Sequence, residues 1–526
     1  MSGERGSEAD PAPPAPSPGP GLAVADRGLL RGRPPEPCLM VIFGASGDLT
    51  HRALLPSLFE LYCKRLLPES FAVVGTARRA WDSARFRQVA RETVRGECAW
   101  HPGSWEDFAR RLHYVRADAA GPAEDDYARL QAEIERVCRE FAIPGNVFFH
   151  LAVPPSFFGP VVTRLGAAGL AAGTQGWRRL VIEKPFGEDL ESARTLDREL
   201  RRVFEEDQIY RIDHFLGKET VQNMLVFRFA NPAFEPIWNR NYIDHVQITA
   251  AESIGIGTRA GFYEKTGVVR DMVQNHLLQL LCMTAIEPPV RYDAGALRDE
   301  TVKVLKAVDL NPLDPATGVV LGQYGPGRVD GVEVPGYQDE EGVAPGSRTP
   351  TFAALKLTLD NWRWADVPFY LRTGKRLTRK LTEVSIHFKP TPHLMFDEAG
   401  GADPRRHNVL TFEVQPEEGI VQTFVAKQPG PEVSMQTVTM NFRYADAFGV
   451  EEPPRAYAWL LLDVMQGEQT LFARADWVHE AWKIVDPITS YQRTASDALA
   501  TYPPGSSGPS AAAELLNRDG RRWRPI

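Results

Sequence analysis

A short apolar run that leads into a glycine-rich turn and then a helical segment most constrains how this chain can fold. Leu39–Phe43 is entirely apolar, Gly44–Leu49 reads Gly-Ala-Ser-Gly-Asp-Leu, and apolar residues then recur at helical spacing in Thr50–Leu67. Short apolar runs alternate with helical segments as far as about Tyr210, which predicts βαβ units and a parallel sheet. The candidate strands are Leu39–Phe43, Phe71–Gly75, Val147–Ala152 and Arg179–Glu183.

The chain changes character after Tyr210, where longer runs alternate apolar and polar residues with period two. Such alternation is typical of a sheet with one solvated face, so we predict a large, mainly antiparallel sheet. The stretch Asp309–Pro350 is dense in glycine and proline and predicts loops. The alternating runs are Val246–Ala250, Leu355–Leu359, Glu383–Phe388, Val409–Val414 and Val433–Phe442.

With 526 residues, the chain is long enough for two large domains. We predict an α/β Rossmann-like dinucleotide-binding domain followed by a larger α+β domain with a mainly antiparallel sheet. The predicted divisions are a disordered, Pro- and Ala-rich tail at 1–36, the Rossmann-like domain at 37–210, a substrate and oligomerisation domain at 211–505 and a loose C-terminal tail at 506–526.

Charge, apolar runs and cysteines argue against several classes of protein. A formal net charge of −8 disfavours a general affinity for nucleic acid, which needs a clustered cationic surface. Leu277–Ile286, a long apolar stretch, reaches about half of the roughly 20 residues of a membrane helix, and residues 1–36 lack the apolar block of a signal peptide. Five cysteines without CxxC spacing indicate no metal site and favour a reducing cytoplasm. They are Cys38, Cys63, Cys98, Cys138 and Cys282.

The turn Gly44–Leu49 has the setting in which a glycine-rich loop binds a pyrophosphate. Glycines allow a tight turn and a close backbone approach, and free amides at a helix N-terminus face negative charge. The spacing is GxxGxL rather than GxGxxG, so a plain βα turn with Asp48 or Thr50 as helix cap stays open on this turn alone.

The end of the second candidate strand indicates which dinucleotide is bound. NAD enzymes usually place an acidic residue here for the ribose 2′-hydroxyl, whereas an arginine accommodates the 2′-phosphate of NADP. Phe71–Gly75 is followed by Arg78 and Arg79, with no carboxylate before Asp82. NADP is therefore favoured over NAD, with two solvated surface arginines as the alternative.

Lys184 follows the candidate strand Arg179–Glu183 and precedes Pro185. A residue before proline is held extended, so Lys184 is expected at the carboxyl end of a parallel strand, where ligands bind in open α/β sheets. From there its ammonium would reach oxygens of both cofactor and substrate. A surface lysine is the alternative.

Two later segments carry histidines. His214 and Lys218 are four residues apart, so a helical turn would aim both at one point and form a phosphate clamp. His276 lies on or beside an apolar helical stripe, where an imidazole suits a general base if a second group fixes its tautomer. Asp271 is about 140° away around an α-helix and is poorly placed for that service. A capped structural histidine and a core histidine are the respective alternatives.

Five motifs occur in the order GASGDL, VVGTAR, VIEKPFG, RIDHFLGKE and RDMVQNH. Together they closely resemble the glucose-6-phosphate dehydrogenase family, and the resemblance runs from about Cys38 to Asp486. It implies oxidation of glucose 6-phosphate at C1 to 6-phospho-D-glucono-1,5-lactone, with hydride transfer to NADP. That reaction is the first oxidative step of the pentose phosphate pathway.

The resemblance also implies roles for individual residues. His276 would take the proton of the C1 hydroxyl, and Asp213 would orient His276. Glu252 and Asp271 would bind sugar hydroxyls, since a carboxylate accepts several hydrogen bonds. Lys184 would contact substrate and cofactor together. The phosphate would be bound by His214, Lys218, Lys375 and Lys380, and the cofactor also by Gly44, Ala45, Ser46, Gly47, Asp48, Leu49 and Arg78.

The chain departs from many relatives at two places. Phe215 stands where RIDHYLGKE has tyrosine, which removes a phenolic hydroxyl from the phosphate site. Ala53 replaces a cofactor-side lysine, so the preference for NADP depends more on Arg78. The C-terminal stretch matches no second, structural NADP site, and none is predicted. The resemblance further implies a homodimer or homotetramer built on the antiparallel sheet.

Two other functions stay open at this point. A dehydrogenase of unphosphorylated sugars or polyols shares the Glu-Lys-Pro strand end. A catalytically silent, NADP-sensing protein on the same scaffold would be expected to lack the base or its partner. Because Asp213 and His276 are both present, the sequence favours an enzyme.

Overall fold

The computed structural model describes residues 35–98, 102–118, 121, 124–173, 176–309, 315–393, 395, 408–431, 433–449, 455–494 and 499–526. Apart from Pro35 and Glu36, the tail predicted at 1–36 lies outside the described residues. The strands are β1 Cys38–Phe43, β2 Phe71–Ala77, β3 Leu112–Arg116, β4 Val147–Leu151, β5 Arg178–Ile182, β6 Ile209–Ile212, β7 Ile243–Ala251, β8 Val319–Tyr324, β9 Gly327–Val329, β10 Val332–Val334, β11 Phe352–Leu357, β12 Phe369–Gly374, β13 Leu381–Phe388, β14 Val409–Gln415, β15 Gly419–Lys427, β16 Met435–Arg443, β17 Phe472–Ala473 and β18 Leu499–Tyr502.

The helices are α1 Leu55–Cys63, α2 Ser83–Glu97, α3 Pro102–Arg110, α4 Glu124–Glu140, α5 Phe158–Ala167, α6 Leu190–Leu200, α7 Glu219–Phe229, α8 Ala260–Val268, α9 Leu278–Ala285, α10 Ala294–Lys306, α11 Pro315–Gly318, α12 Tyr444–Phe448, α13 Ala456–Gln466, α14 Ala475–Thr494 and α15 Ser510–Asn517. Wider π-helical segments, Thr50–Leu54 and Val269–Leu277, lead directly into α1 and α9. Within the described ranges, no helix is both long and apolar enough to cross a membrane.

The first sheet has the parallel arrangement predicted from the alternation of strands and helices. Its strands lie in the order β17-β6-β5-β4-β1-β2-β3, and β1 to β6 pair in parallel. Every residue of β1 is buried, as expected for a parallel sheet covered on both faces. The short strand β17 joins β6 antiparallel from far along the chain. The predicted division between residues 210 and 211 falls inside β6.

The second sheet is mainly antiparallel, which confirms the predicted fold class. Its order is β16-β15-β14-β13-β7-β12-β11-β8-β18, with parallel pairing only at β7–β12 and β8–β18 among its described strands. Loops were predicted over Asp309–Pro350, but β8 is an interior strand there and β9 and β10 form a separate hairpin. The loop prediction is wrong at β8 because its apolar residues pack into the core.

The C-terminal segment is packed, so the prediction of a loose tail at 506–526 is wrong. Leu515 and Leu516 of α15 are buried. The guanidinium of Arg372 donates to the carbonyl oxygen of Arg524 at 3.0 Å and lies 4.4 Å from the ring centroid of Trp523. These contacts offset the chain entropy that the Pro, Gly and Ser content led us to expect in this stretch.

The two sheets bring ionisable side chains together at the ends of their strands. Lys184 follows β5, Asp213 follows β6, Glu252 follows β7 and Lys375 follows β12. The π-helical segment Val269–Leu277 passes between these strand ends and is buried along almost its whole length. This convergence defines the candidate site.

Candidate active site

The turn after β1 requires glycine at its first position. Gly44 has a φ of +87°, and a Cβ there would lie 2.2 Å from the carbonyl oxygen of Ala152. Its amide donates to the carbonyl oxygen of Thr76, and the amide of Gly47 donates to that of Gly44 at 2.8 Å. Thr50 donates its hydroxyl to the Gly44 carbonyl oxygen at 3.2 Å and makes no capping bond to a helix amide. Backbone therefore fills the side of the turn that faces Ala152, and only a residue without a Cβ fits there.

A cleft of about 320 Å³ opens beside this turn, at the carboxyl ends of β1, β2 and β4. Glycines and arginines on its wall suit a dinucleotide with phosphate groups. Ala117, Asp118 and Phe157 were not predicted from the sequence, because no motif marks them. The lining residues are Gly44, Ser46, Gly47, Ala77, Arg78, Arg79, Ala117, Asp118, Ala152, Val153, Pro154 and Phe157.

The predicted cofactor residues differ in where they lie. Arg78 and Arg79 are exposed on the cleft wall. Ala45 is buried, and Asp48 forms an exposed ion pair with Arg52 at 3.2 Å. The predicted cofactor residues outside the described lining are Ala45, Asp48, Leu49 and Lys184.

An imidazole and a carboxylate form a buried pair between the two sheets. His276 Nδ1 lies 2.6 Å from Asp213 Oδ1, and both side chains are 2% exposed. The ionised carboxylate accepts from Nδ1–H, which assigns the tautomer and leaves Nε2 as an acceptor. The amide of Phe215 also donates to Asp213 Oδ1, and the Phe215 ring stacks on the imidazole at a centroid distance of 4.1 Å. The imidazole is therefore fixed in both tautomer and plane.

The π-helical form of Val269–Leu277 changes where Asp271 lies. In a π-helix, residues five apart are hydrogen-bonding neighbours, so Asp271 and His276 are close and their predicted separation around an α-helix is wrong. Lys184 bridges them. Its Nζ lies 3.1 Å from Asp271 Oδ1, 2.9 Å from the Asp271 carbonyl oxygen and 2.9 Å from His276 Nε2.

The surrounding charges set the protonation of this group. Burial raises the pKa of Asp213, but the charge and hydrogen bond of His276 outweigh it and lower that pKa to about 2. Burial lowers the pKa of His276, and the Lys184 ammonium lowers it further against the opposing effect of Asp213. Burial would raise the pKa of Asp271, but Lys184 and Lys375 hold it below its ordinary value. At neutral pH the imidazole is neutral and both carboxylates are ionised, as a general base requires.

Lys375 lies with the carboxylates predicted to bind sugar hydroxyls. Its side chain is buried, and its Nζ donates to Glu252 Oε2 at 2.6 Å. Its charge also acts on Asp271. The structure therefore groups Lys375 with Glu252 and Asp271, whereas the family resemblance had assigned it to the phosphate together with Lys380.

His214 and Lys218 lie in the turn between β6 and α7. Because α7 begins at Glu219, the helical spacing assumed for this pair is wrong. Burial holds the pKa of His214 well below its ordinary value, and the charge of Lys218 adds to that lowering. Burial lowers the pKa of Lys218, an effect that Glu418 opposes and Lys380 reinforces. The structure thus brings the ammonium groups of Lys218 and Lys380 near the neutral imidazole of His214, with Glu418 as a member that the sequence did not predict.

Comparison with known proteins identifies the family. The model of the NAD binding domain of glucose-6-phosphate dehydrogenase matches residues 41–223, and that of its C-terminal domain matches residues 225–524. The glucose-6-phosphate 1-dehydrogenase of Aggregatibacter actinomycetemcomitans is 48% identical over 498 residues, which cover 93% of this chain and 97% of the relative. The chain belongs to the glucose-6-phosphate dehydrogenase family.

Solved structures agree with this assignment to the glucose-6-phosphate dehydrogenase family. A glucose-6-phosphate dehydrogenase in complex with its substrate glucose-6-phosphate matches with a TM-score of 0.84 at 33% identity, over 93% of this chain and 99% of that one. The enzyme from Mycobacterium avium matches with a TM-score of 0.77 at 35% identity, over 94% and 99%. The dinucleotide-binding domain of the family implies a nicotinamide cofactor.

A buried hydrogen-bonded group behind Lys184 was missed by sequence reasoning. Glu183 Oε1 lies 3.0 Å from His150 Nε2, and the Tyr457 hydroxyl donates to Glu183 Oε2 at 3.1 Å. These bonds hold the residue before Lys184, and so the strand end that carries the ammonium. The glutamate of the family motif was the available signal, whereas Tyr457 lies far along the chain.

Among the described residues, no group of His, Cys, Asp and Glu could hold a metal ion.

Proposed function

We propose that this chain oxidises glucose 6-phosphate at C1 to 6-phospho-D-glucono-1,5-lactone with NADP as acceptor, the first oxidative step of the pentose phosphate pathway. The observation that carries the proposal is the buried Asp213–His276 pair, whose Nε2 accepts from Lys184 Nζ at 2.9 Å where the strand ends of both sheets converge. The cleft beside Gly44 would hold NADP, which would supply the acceptor for the hydride from C1.

His276 is the proposed general base. Asp213 holds Nδ1–H, so Nε2 carries the lone pair that takes the proton of the C1 hydroxyl once the Lys184 ammonium has turned away from it. Asp213 stays ionised and stabilises the imidazolium that forms. The Lys184 ammonium lies where this hydroxyl must arrive, so substrate binding turns it from Nε2, with the carbonyl oxygen and carboxylate of Asp271 as its remaining partners.

Substrate binding is divided between two groups of side chains. Glu252, Asp271 and Lys375 face the sugar, where carboxylates accept from hydroxyls. The phosphate is bound by Lys218 together with His214 and Lys380. A desolvated ammonium such as that of Lys218 gains most from a dianion, because charge-assisted hydrogen bonds are stronger than neutral ones. The phenyl ring of Phe215 stacks on His276 and offers this phosphate no hydroxyl.

The preference for NADP over NAD depends on the cleft wall. Arg78 and Arg79 are exposed there after β2, where an arginine accommodates a 2′-phosphate. Gly44, Ser46 and Gly47 supply the backbone against which a pyrophosphate lies.

One assay tests reaction, substrate and cofactor together. Purified protein is mixed with NADP or NAD and with glucose 6-phosphate, glucose or 6-phosphogluconate, and formation of the reduced nicotinamide is followed. We expect turnover with glucose 6-phosphate and NADP, and loss of turnover with retained cofactor binding in His276→Asn. Equal rates with glucose and glucose 6-phosphate would instead favour a dehydrogenase of unphosphorylated sugars.

A homodimer or homotetramer is proposed to form on the second sheet. Its edge strand β16 is largely exposed, with Met440 62% exposed, and an unpaired edge with apolar surface favours association. Sedimentation of the full chain should therefore give a dimer or tetramer, and a monomer at micromolar concentration contradicts this.

A cytoplasmic location is supported by five unpaired cysteines and is tested by cell fractionation.

A further inference from the structure

The backbone of Lys375 is held by the C-terminal segment of the chain. Tyr502, the last residue of β18, is fully buried and donates its hydroxyl to the Lys375 carbonyl oxygen at 2.7 Å. The amide of Lys375 donates to the carbonyl oxygen of Thr351 at 2.9 Å. Both backbone polar groups of Lys375 are thus fixed, and its Nζ reaches Glu252 Oε2 at 2.6 Å.

A directed series of hydrogen bonds orients the Tyr502 hydroxyl. The amide of Tyr324 donates to Thr351 Oγ1 at 3.0 Å, and Thr351 Oγ1 lies 3.0 Å from Tyr502 Oη. Tyr502 gives its single proton to Lys375 at 2.7 Å, since its other acceptor, the Thr351 carbonyl oxygen, is 3.4 Å away. Thr351 therefore donates to Tyr502, and successive bonds of this kind strengthen one another.

The loop that follows Lys375 is held by the same C-terminal segment. The amide of Gly505 donates to the carbonyl oxygen of Arg376 at 2.7 Å, and the amide of Thr378 donates to that of Ser506 at 3.1 Å. Arg376 has a φ of +54°, in the left-handed region that side chains rarely adopt. Such a backbone persists only where its surroundings hold it, and here much of that surrounding is residues 502–506.

We propose that Tyr502 is a positioning residue of the substrate site, whose hydroxyl sets where the Lys375 ammonium lies and so the affinity for the phosphorylated sugar. This inference rests on the proposed function. Without the hydroxyl, the buried Lys375 carbonyl loses its donor and the loop shifts to satisfy it. Lys375 contacts substrate in the ground state and in the transition state alike, so the loss falls on KM rather than on kcat.

The variant Tyr502→Phe removes only the hydroxyl oxygen. We expect KM for glucose 6-phosphate to rise about fivefold, the ordinary worth of one hydrogen bond, with kcat and KM for NADP nearly unchanged. Tyr370→Phe is the matched control, because its hydroxyl bonds Asp519 in the same C-terminal region without contacting Lys375. That control should leave KM for glucose 6-phosphate as in the wild type.

Two further comparisons separate positioning from a merely structural role. A structural role lowers the melting temperature and the fraction of active protein while KM stays constant, and that result overturns the proposal. In a Lys375→Ala background, Tyr502→Phe should cause no additional rise in KM; independent, additive effects also overturn it.

A third variant covers the case in which Tyr502→Phe does not fold. Thr351→Val removes the hydroxyl that orients Tyr502 and should raise the same KM about twofold, the lower end of a hydrogen bond's worth. An unchanged KM there counts against the proposal. Failure of the proposed function is a different result, namely wild-type protein with no turnover of glucose 6-phosphate.

Discussion

The proposed cofactor cleft and the proposed substrate pocket are built in opposite ways. The cleft is lined by the backbone of the glycine turn at Gly44 and by the exposed side chains of Arg78 and Arg79. The pocket is a buried set of ionisable groups in which Asp213 and His276 are each 2% exposed. Removing one member of a buried charge cluster leaves its partner uncompensated, whereas an exposed side chain is replaced at little cost. Pocket variants should therefore lose turnover, and cleft variants should change cofactor affinity and choice.

The largest effect is expected from Asp213→Asn in the pocket. An asparagine amide can donate to His276 Nδ1 and so favour the wrong tautomer, which should lower kcat about 10³- to 10⁴-fold, by analogy with the serine-protease triad. Steady-state kinetics should show KM for NADP nearly unchanged. The control is Asp125→Asn, an exposed carboxylate on α4, which should behave as the wild type. A fall in kcat of less than tenfold would show that Asp213 does not orient the base, His276.

The next effect is expected at the phosphate end of the pocket. Lys218→Ala removes a charge-assisted bond and should raise KM for glucose 6-phosphate about 10- to 100-fold. Turnover of unphosphorylated glucose should hardly change, because glucose makes no such contact. Lys483→Ala, an exposed lysine of α14, is the control. Equal effects of Lys218→Ala on both sugars would contradict the phosphate clamp.

A smaller effect is expected in the cleft, where Arg78→Ala changes cofactor choice. Losing an exposed guanidinium next to the 2′-phosphate should lower kcat/KM for NADP about tenfold and leave that for NAD unchanged, while kcat with saturating NADP is retained. The exposed arginine Arg85 of α2 supplies the control variant, Arg85→Ala. A large fall in kcat would contradict the expectation that cleft variants change cofactor affinity and choice rather than turnover.

The smallest effect is a shift of the pH profile. The neutral imidazole is the base, so kcat/KM is lost as pH falls through the His276 pKa, which burial and Lys184 hold below its ordinary value. Lys184→Gln removes one of the groups that lower this pKa, so the acidic limb should move to higher pH. If kcat/KM falls at every pH while the acidic limb stays at the same pH, Lys184 does not set the pKa of His276.

Local motifs predicted four of the seven strands in the first sheet, because these strands and the turns and helices between them follow one another in the sequence. β1, β2, β4 and β5 lie within two residues of their predicted bounds at each end. The strand-end position of Lys184 follows from one proline and one parallel strand. The Asp213–His276 pair was expected only from the family resemblance, because the two residues share no local pattern.

The remaining features depend on packing between distant segments. Nothing in the residues Val269–Leu277 distinguishes a π-helix from an α-helix, so Asp271 was placed on the wrong side of His276. The composition of residues 506–526 indicated a tail, yet α15 packs against β8 and the Arg524 carbonyl oxygen accepts from Arg372, partners that precede them by more than a hundred residues. Tyr457 reaches Glu183 across a still larger sequence separation of 274 residues.

The parallel pairing of β18 with β8 has a consequence for biosynthesis. Of the strands in the second sheet β18 is synthesised last, so that sheet can be completed only once residue 502 has left the ribosome. The strands β1 to β6, by contrast, are all synthesised within the first 212 residues and can pair while the rest of the chain is still being made. A product of interrupted translation would therefore carry a nucleotide cleft without the support that its sugar pocket needs.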